Sequence, residues 1–205
     1  KEVVEQAKKQ GVAADRLISL EAQLSPKTRN PDVASGNPPQ ESLNSLIGHY
    51  QGGRFLEAEK LAVSITQEFP RHPFAWKVLG VVLGATGRKP EAVNANQTAV
   101  SLSPQDAEAH NNLGNTLKDL GRLEEAEASY KQSIALKSDL AEAHSNLGVI
   151  LQELGRLEEA VASYKQAIAL KSNLAGAHSN LGNALKGLGR LTEAEASYSQ
   201  AIALK

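Results

Sequence analysis

Asn112, Asn146 and Asn180 stand 34 residues apart, inside the strings "HNNLG" at 110–114 and "HSNLG" at 144–148 and 178–182. A carboxamide offers two N–H donors and one carbonyl acceptor, so it can pair with a peptide group without reading a side chain. Three of them at equal spacing could act as rungs against an extended chain. His110, His144 and His178 share the interval and raise a metal reading. Histidine ligands must all approach one zinc to ~2.0–2.1 Å, whereas equivalent positions on packed helices stand roughly 8–10 Å apart or more. The spacing therefore assigns these histidines to packing between helices, and no metal is expected. His49 and His72 are isolated. Glu124, Glu125, Glu158 and Glu159 open helices, where a carboxylate favours the helix dipole, so they are not an acid–base pair. The sequence has no cysteine, no glycine-rich phosphate loop and no serine with a credible base. No catalytic residue and no cofactor is expected. The sequon Asn96-Gln97-Thr98 falls inside a helix and reads as coincidence.

These residues are positioned by a repeating frame. Residues 107–137 and 141–171 agree at 24 of 31 positions, and a fixed period of this size marks a stacked repeat architecture. Gly53, Gly87, Gly121, Gly155 and Gly189 keep the 34-residue interval, and each is followed by Arg. Apolar residues sit at helical spacing before the glycine (Leu113, Leu117, Leu120) and after it (Leu123, Ala126, Tyr130, Ile134), which predicts two helices per repeat. Glycine takes the left-handed conformation that closes a helix C-terminus without strain. The second helix is expected to end near Leu136. Asp139 and Asn173 are then placed to cap the next helix with their side chains. Gly114, Gly148 and Gly182 are expected to face Ala126, Ala160 and Ala194, letting the paired backbones approach closely. One helix pair cannot bury its apolar stripe alone, so stability must come from stacking.

The pattern resembles the tetratricopeptide repeat family, strongly over 73–205 and more loosely over 39–72. "FAWKVLG" at 74–80 carries the family's aromatic-x-x-Leu-Gly in Trp76, Leu79 and Gly80. His110, His144 and His178 replace that tryptophan. The family's small residue of the second helix matches Ala58, Ala92, Ala126, Ala160 and Ala194, and its aromatic matches Tyr130, Tyr164 and Tyr198. Its terminal proline is present as Pro70 and Pro104 and replaced by Ser138 and Ser172. Glu127 and Glu195 occupy a position usually apolar, and Leu46, Ile47 and Tyr50 sit one place off the usual register. The resemblance implies an all-α fold, an α-solenoid in the form of a right-handed superhelix of helix-turn-helix repeats. The repeats are expected at 39–72, 73–106, 107–140, 141–174 and 175–205, the last truncated.

The resemblance also implies that one face of each first helix lines a concave groove. Positions sharing that face are Glu108, Asn111, Asn112, Asn115, Lys118 and Asp119; then Glu142, Ser145, Asn146, Val149, Gln152 and Glu153; then Gly176, Ser179, Asn180, Asn183, Lys186 and Gly187. The face is polar, and its opposite is Leu and Ala. The asparagine ladder resembles the one lining the repeat domain of O-linked N-acetylglucosamine transferase. Asn115, Asn183, Lys118 and Lys186 also match part of a terminal-carboxylate clamp, but Val149 interrupts it and the lysines are out of place.

The bulk composition is consistent with this frame. Apolar residues make up 41% of the chain and aromatics 4%, so the interior must be built mainly from Ala, Leu, Ile and Val. A net charge of −1 argues against a nucleic-acid or anionic-membrane surface, which needs a basic excess. No apolar run approaches the ~20 residues of a membrane span. No signal peptide is evident, and without cysteine the compartment stays unknown, the cytoplasm being favoured. Short helices are expected over 1–24. A proline-rich linker is expected over 25–38; the string "SPKTRNPDVASGNPPQ" at 25–40 holds four of the eight prolines. The sequence has no methionine, which suggests a fragment, and no polar helix follows the last repeat. Ile202 and Leu204 should therefore border an open apolar edge through which the chain could self-associate. The partner expected is a protein or peptide, with no nucleic acid and no membrane. A second reading is the substrate-recruiting arm of a larger glycosyltransferase, sulfotransferase or methyltransferase; a third is a structural spacer.

Overall fold

The computed structural model describes residues 36–204. The helices expected over 1–24 and residues 25–35 of the expected linker lie outside the described residues. Every regular element among the described residues is an α-helix. The order is α1 (Gln40–Gln51), α2 (Phe55–Glu68), α3 (Pro73–Ala85), α4 (Lys89–Leu102), α5 (Ala107–Asp119), α6 (Leu123–Leu136), α7 (Ala141–Glu153), α8 (Leu157–Leu170), α9 (Ala175–Gly187) and α10 (Leu191–Ala203). Each odd-numbered helix packs on the even-numbered helix that follows it, and each such pair packs on the next. The result is an α-solenoid of helix-turn-helix units.

The turn inside each unit is built the same way. In the fourth unit Gly155 has φ +73°. Its N–H donates to the Gln152 carbonyl at 3.0 Å, and the Arg156 N–H donates to the Leu151 carbonyl at 2.8 Å. This is the Schellman pairing, which satisfies two of the carbonyls a helix end leaves open. The Arg156 carbonyl then accepts the Ala160 N–H at 3.0 Å, so one residue ends one helix and starts the next. Its guanidinium grips Glu159 in the first turn of α8 with two bonds of 2.7 and 2.6 Å. Arg122–Glu125 and Arg190–Glu193 repeat that grip.

The turns between units differ from expectation. The α7 and α9 helices begin one residue later than the sequence implied, at Ala141 and Ala175, and their N-cap residues Leu140 and Leu174 give no side-chain cap. Asp139 and Asn173 therefore stand one position too early to cap. Asp106, one position further along in its own repeat, does cap: its Oδ1 accepts the Ala109 N–H of α5 at 3.1 Å.

The close approach within a unit also differs. A Cβ placed on Gly148 would lie 2.6 Å from Cε1 of Tyr164, and Gly114 and Gly182 meet Tyr130 and Tyr198 in the same manner. The glycines thus make room for tyrosine rings rather than for the alanines. Tyr130 and Tyr164 are fully buried in consequence.

That pairing explains where the core breaks. Asn96 stands in the tyrosine position of the second unit, opposite Gly80. It is 1% exposed; its Nδ2 donates to Thr116 Oγ1 at 2.8 Å, and its Oδ1 is buried without a partner. The apolar core divides around this polar pair. One part runs from Leu46 to Ala95 and the other gathers Val93, Leu113, Tyr130, Ile150, Tyr164 and Leu185. Leu46 fills the glycine position of the first unit, and Ala62 stands where the tyrosine would be. Both are fully buried, so the larger and smaller partners have exchanged places. No helix is long and apolar enough to cross a membrane among the described residues.

Candidate peptide-binding face

The residues expected to line the groove lie on the odd-numbered helices. Asn111, Asn112 and Asn115 of α5 border one cavity of about 580 Å³, together with Glu142 of α7. Asn146 joins this group from the next unit. Its Nδ2 donates to Asn115 Oδ1 at 3.0 Å and to Asn111 Oδ1 at 3.3 Å. The Tyr130 hydroxyl, rising from α6 through the core, donates to the same Asn115 Oδ1 at 2.8 Å. Burial pushes the Tyr130 phenol up, and the charges of Asp119 and Glu153 push the same way, so the ring keeps its proton and remains a donor. Asn115 Oδ1 is thereby occupied by two donors, and its amide N–H groups have no acceptor among the described residues.

The fifth unit repeats part of this arrangement. The Tyr198 hydroxyl donates to Asn183 Oδ1 at 2.8 Å. In the fourth unit Val149 replaces the asparagine, and the Tyr164 hydroxyl turns to Gln152 Oε1 at 3.3 Å. Ser145, Ser179 and Asn180 are half-buried on the same helical face, and Lys186 is exposed. Lys118 lies 4.0 Å from Asp119. No hydrogen bond among the described residues engages the Asn112 or Asn180 amides, whereas Asn146 has both N–H groups engaged. The three rungs are thus not equivalent: only the middle one is tied to its neighbours.

The histidine series has a structural role more specific than packing. His110, His144 and His178 each place Nε2 3.0 Å from the carbonyl oxygen six residues earlier, at Pro104, Ser138 and Ser172. Trp76 donates its indole N–H to the Pro70 carbonyl in the same geometry at 2.8 Å. Histidine can replace tryptophan here because both carry a ring N–H at similar reach.

Several functional features escaped the sequence reading. The cavity extends beyond the asparagines onto α1 and α3, where Ile47, Tyr50, Phe74, Val78 and Val81 supply an apolar wall. Subtracting the 34-residue period from Asn112 and Asn115 gives Val78 and Val81, so this wall could have been read from the register. Glu127 does more than interrupt the core. It holds Lys131 and, across the unit boundary, Arg156, both at 2.7 Å. Glu59 and Arg88 pair likewise across the boundary between the first two units. Lys77 spans the next boundary, to Asp106 at 2.8 Å and Glu108 at 3.1 Å. Leu191, Ile202 and Leu204 are exposed among the described residues.

Repeated helix-turn-helix units with a polar face and a shared apolar core define a repeat solenoid. The family model described as TPR repeat matches residues 82–121, 114–155 and 150–189, and one described as Tetratricopeptide repeat matches 175–205. The chain belongs to the tetratricopeptide repeat family, whose repeats form scaffolds for protein–protein interaction. No curated protein matches it. Among solved structures it is similar to a crystal structure of MamA (23% identity, TM-score 0.70, covering 77% of this chain and 92% of that one). It is also similar to MamA from Desulfovibrio magneticus RS-1 (19%, 0.73, 83% and 97%). A third similar structure comes from a functional characterisation of Pseudomonas aeruginosa pilF (18%, 0.75, 81% and 76%). At these identities the likeness is one of fold.

Proposed function

We propose that this scaffold binds an extended segment of a protein partner along the face carried by α5, α7 and α9, holding it largely by its backbone. The observation that carries the reading is the linked set Tyr130–Asn115–Asn146. It fixes one carboxamide from below and from the next unit, so its N–H groups are oriented before a ligand arrives. Preorganised donors cost less to bind with than side chains that must first be ordered. Asn112 and Asn180 extend the same face with amides whose donors and acceptor are both open to a ligand. A partner held through peptide groups would be tolerated across many sequences, and neighbouring side chains would set the preference.

The test is an array of short synthetic peptides presented to the chain and to a variant carrying Asn112→Ala, Asn146→Ala and Asn180→Ala. Peptides retained by the parent should lose about tenfold or more in affinity, equivalent to about 1.4 kcal/mol, while far-UV circular dichroism stays unchanged. Equal affinity for both proteins would remove the ladder from the binding mechanism.

A further inference from the structure

We infer that the cavity spanning the first four units selects a peptide bearing a bulky apolar side chain and, on the side of it toward the fourth unit, a lysine or arginine. The inference rests on the groove reading above and adds the side-chain chemistry that the groove would favour.

The face changes character along the solenoid. In the first two units the positions that later carry asparagine are Leu43, Asn44 and Ile47, then Lys77, Val78 and Val81. Phe74 and Tyr50 stand at either end of this stretch and line the same cavity. An apolar wall of this kind, left half-open beside a row of amides, matches an aliphatic or aromatic side chain with its own peptide groups reaching the amides. The volume of about 580 Å³ lies within the range of pockets that enclose small ligands. It is ample for one large side chain and its adjoining backbone.

The charge at the far rim sets the second requirement. Lys77 is the cation of the cavity, and Asp106 and Glu108 hold it at 2.8 and 3.1 Å. Its charge is thus answered within the protein. Glu142 also lines the cavity; it is exposed and forms no ion pair among the described residues. The uncompensated charge presented to a ligand is therefore negative. A cationic side chain there gains attraction, whereas an anionic one meets repulsion from Glu142 and Glu108.

The experiment uses the whole chain and a scanned peptide set. Each peptide has a Ser/Gly background with one Leu or Phe, and a Lys, Glu or Ser placed at successive positions before or after it. Binding is followed by fluorescence anisotropy at low and raised salt. The proteins are the parent, Val81→Asp, Glu142→Lys and the Ala triple variant of the ladder, each checked for unchanged helicity. Apolar–Lys peptides should bind the parent best and weaken with salt. They should lose about tenfold with Val81→Asp. In Glu142→Lys the preference should switch to the apolar–Glu peptides. If peptides bind in a ladder-dependent way but ignore both Val81→Asp and Glu142→Lys, the groove reading stands and the side-chain selection fails. If no peptide of the set binds the parent, both fail.

Discussion

The ring of Tyr164 occupies the space beside Gly148 so closely that a Cβ there would sit 2.6 Å from Cε1. Real Cβ atoms do not approach that near, and the ring is buried among Leu147, Leu151 and Leu181 of the same core. Neither partner can yield cheaply.

Gly148→Ala should therefore destabilise the solenoid by about 1–3 kcal/mol through overpacking. Pairing it with Tyr164→Leu should recover part of the loss, because the ring that clashes is gone. Thermal melts of the two single variants and the double variant measure the coupling. Strict additivity would contradict the proposed contact.

Asn96→Phe should stabilise the chain by about 1–3 kcal/mol. It removes a buried acceptor without a partner and places an aromatic ring against Gly80, as in the later units. Phenylalanine is chosen over tyrosine because Val81 stands where Asn115 accepts the Tyr130 hydroxyl. The second consequence is cooperativity. With the polar break filled, the two parts of the core should unfold more nearly together, narrowing the melt. A lower midpoint would show that the Asn96–Thr116 hydrogen bond outweighs the apolar gain.

Replacing His144 separates the two roles of that ring. His144→Trp should leave stability nearly unchanged, since Trp76 makes the same bond to the carbonyl six residues back. His144→Leu should lose about 1 kcal/mol by leaving the Ser138 carbonyl without its donor. Equal midpoints for the two variants would reduce the histidine to space filling.

The boundary between the third and fourth units should be acid-sensitive. Lys131, hydrogen-bonded to Glu127, holds that carboxyl below the usual carboxylate range; burial acts against this, and Arg156 reinforces it. A carboxyl whose folded value lies below its unfolded value of about 4.3 contributes stability above that pH. It loses the contribution as the pH falls through the folded value. Glu127→Gln should thus be less stable than the parent near neutral pH, and the gap between their midpoints should close below about pH 4. A gap of constant width would exclude titration of Glu127 as its cause.

The repeat period, the helix pairs and the turn glycines were legible because each repeats a local rule at fixed spacing. Gly155 and its equivalents were found from glycine followed by arginine, and all five have φ between +67° and +82°. Contacts between helices were less legible, because they depend on which residues of two faces meet. The glycines were matched to Ala126, Ala160 and Ala194 when the tyrosine four residues further on was the true neighbour. Asp139 was offered as a cap because capping depends on a one-residue boundary that periodicity does not fix. Asn111, Asn112 and Asn115 were legible as one helical face from their spacing, but attention to the repeated strings hid the apolar continuation of that register in Val78 and Val81, which line the same cavity. The Glu127–Arg156 pair was missed for a similar reason: among the described residues its register recurs as a Glu–Arg pair in Glu59–Arg88 alone, and the equivalent positions one repeat before and after Glu127 are Val93 and Val161.

The central claim is that an extended peptide lies on the asparagine face. The most direct measurement is a side-chain amide NMR titration of the labelled chain with an apolar–lysine peptide of the scanned set. Saturable shifts should appear at Asn111, Asn112, Asn115, Asn146 and Asn180, with the outer residues Gln132 and Gln166 unmoved. Shifts confined to Gln132, Gln166 and their neighbours on the even-numbered helices would place the ligand on the opposite surface and contradict the account.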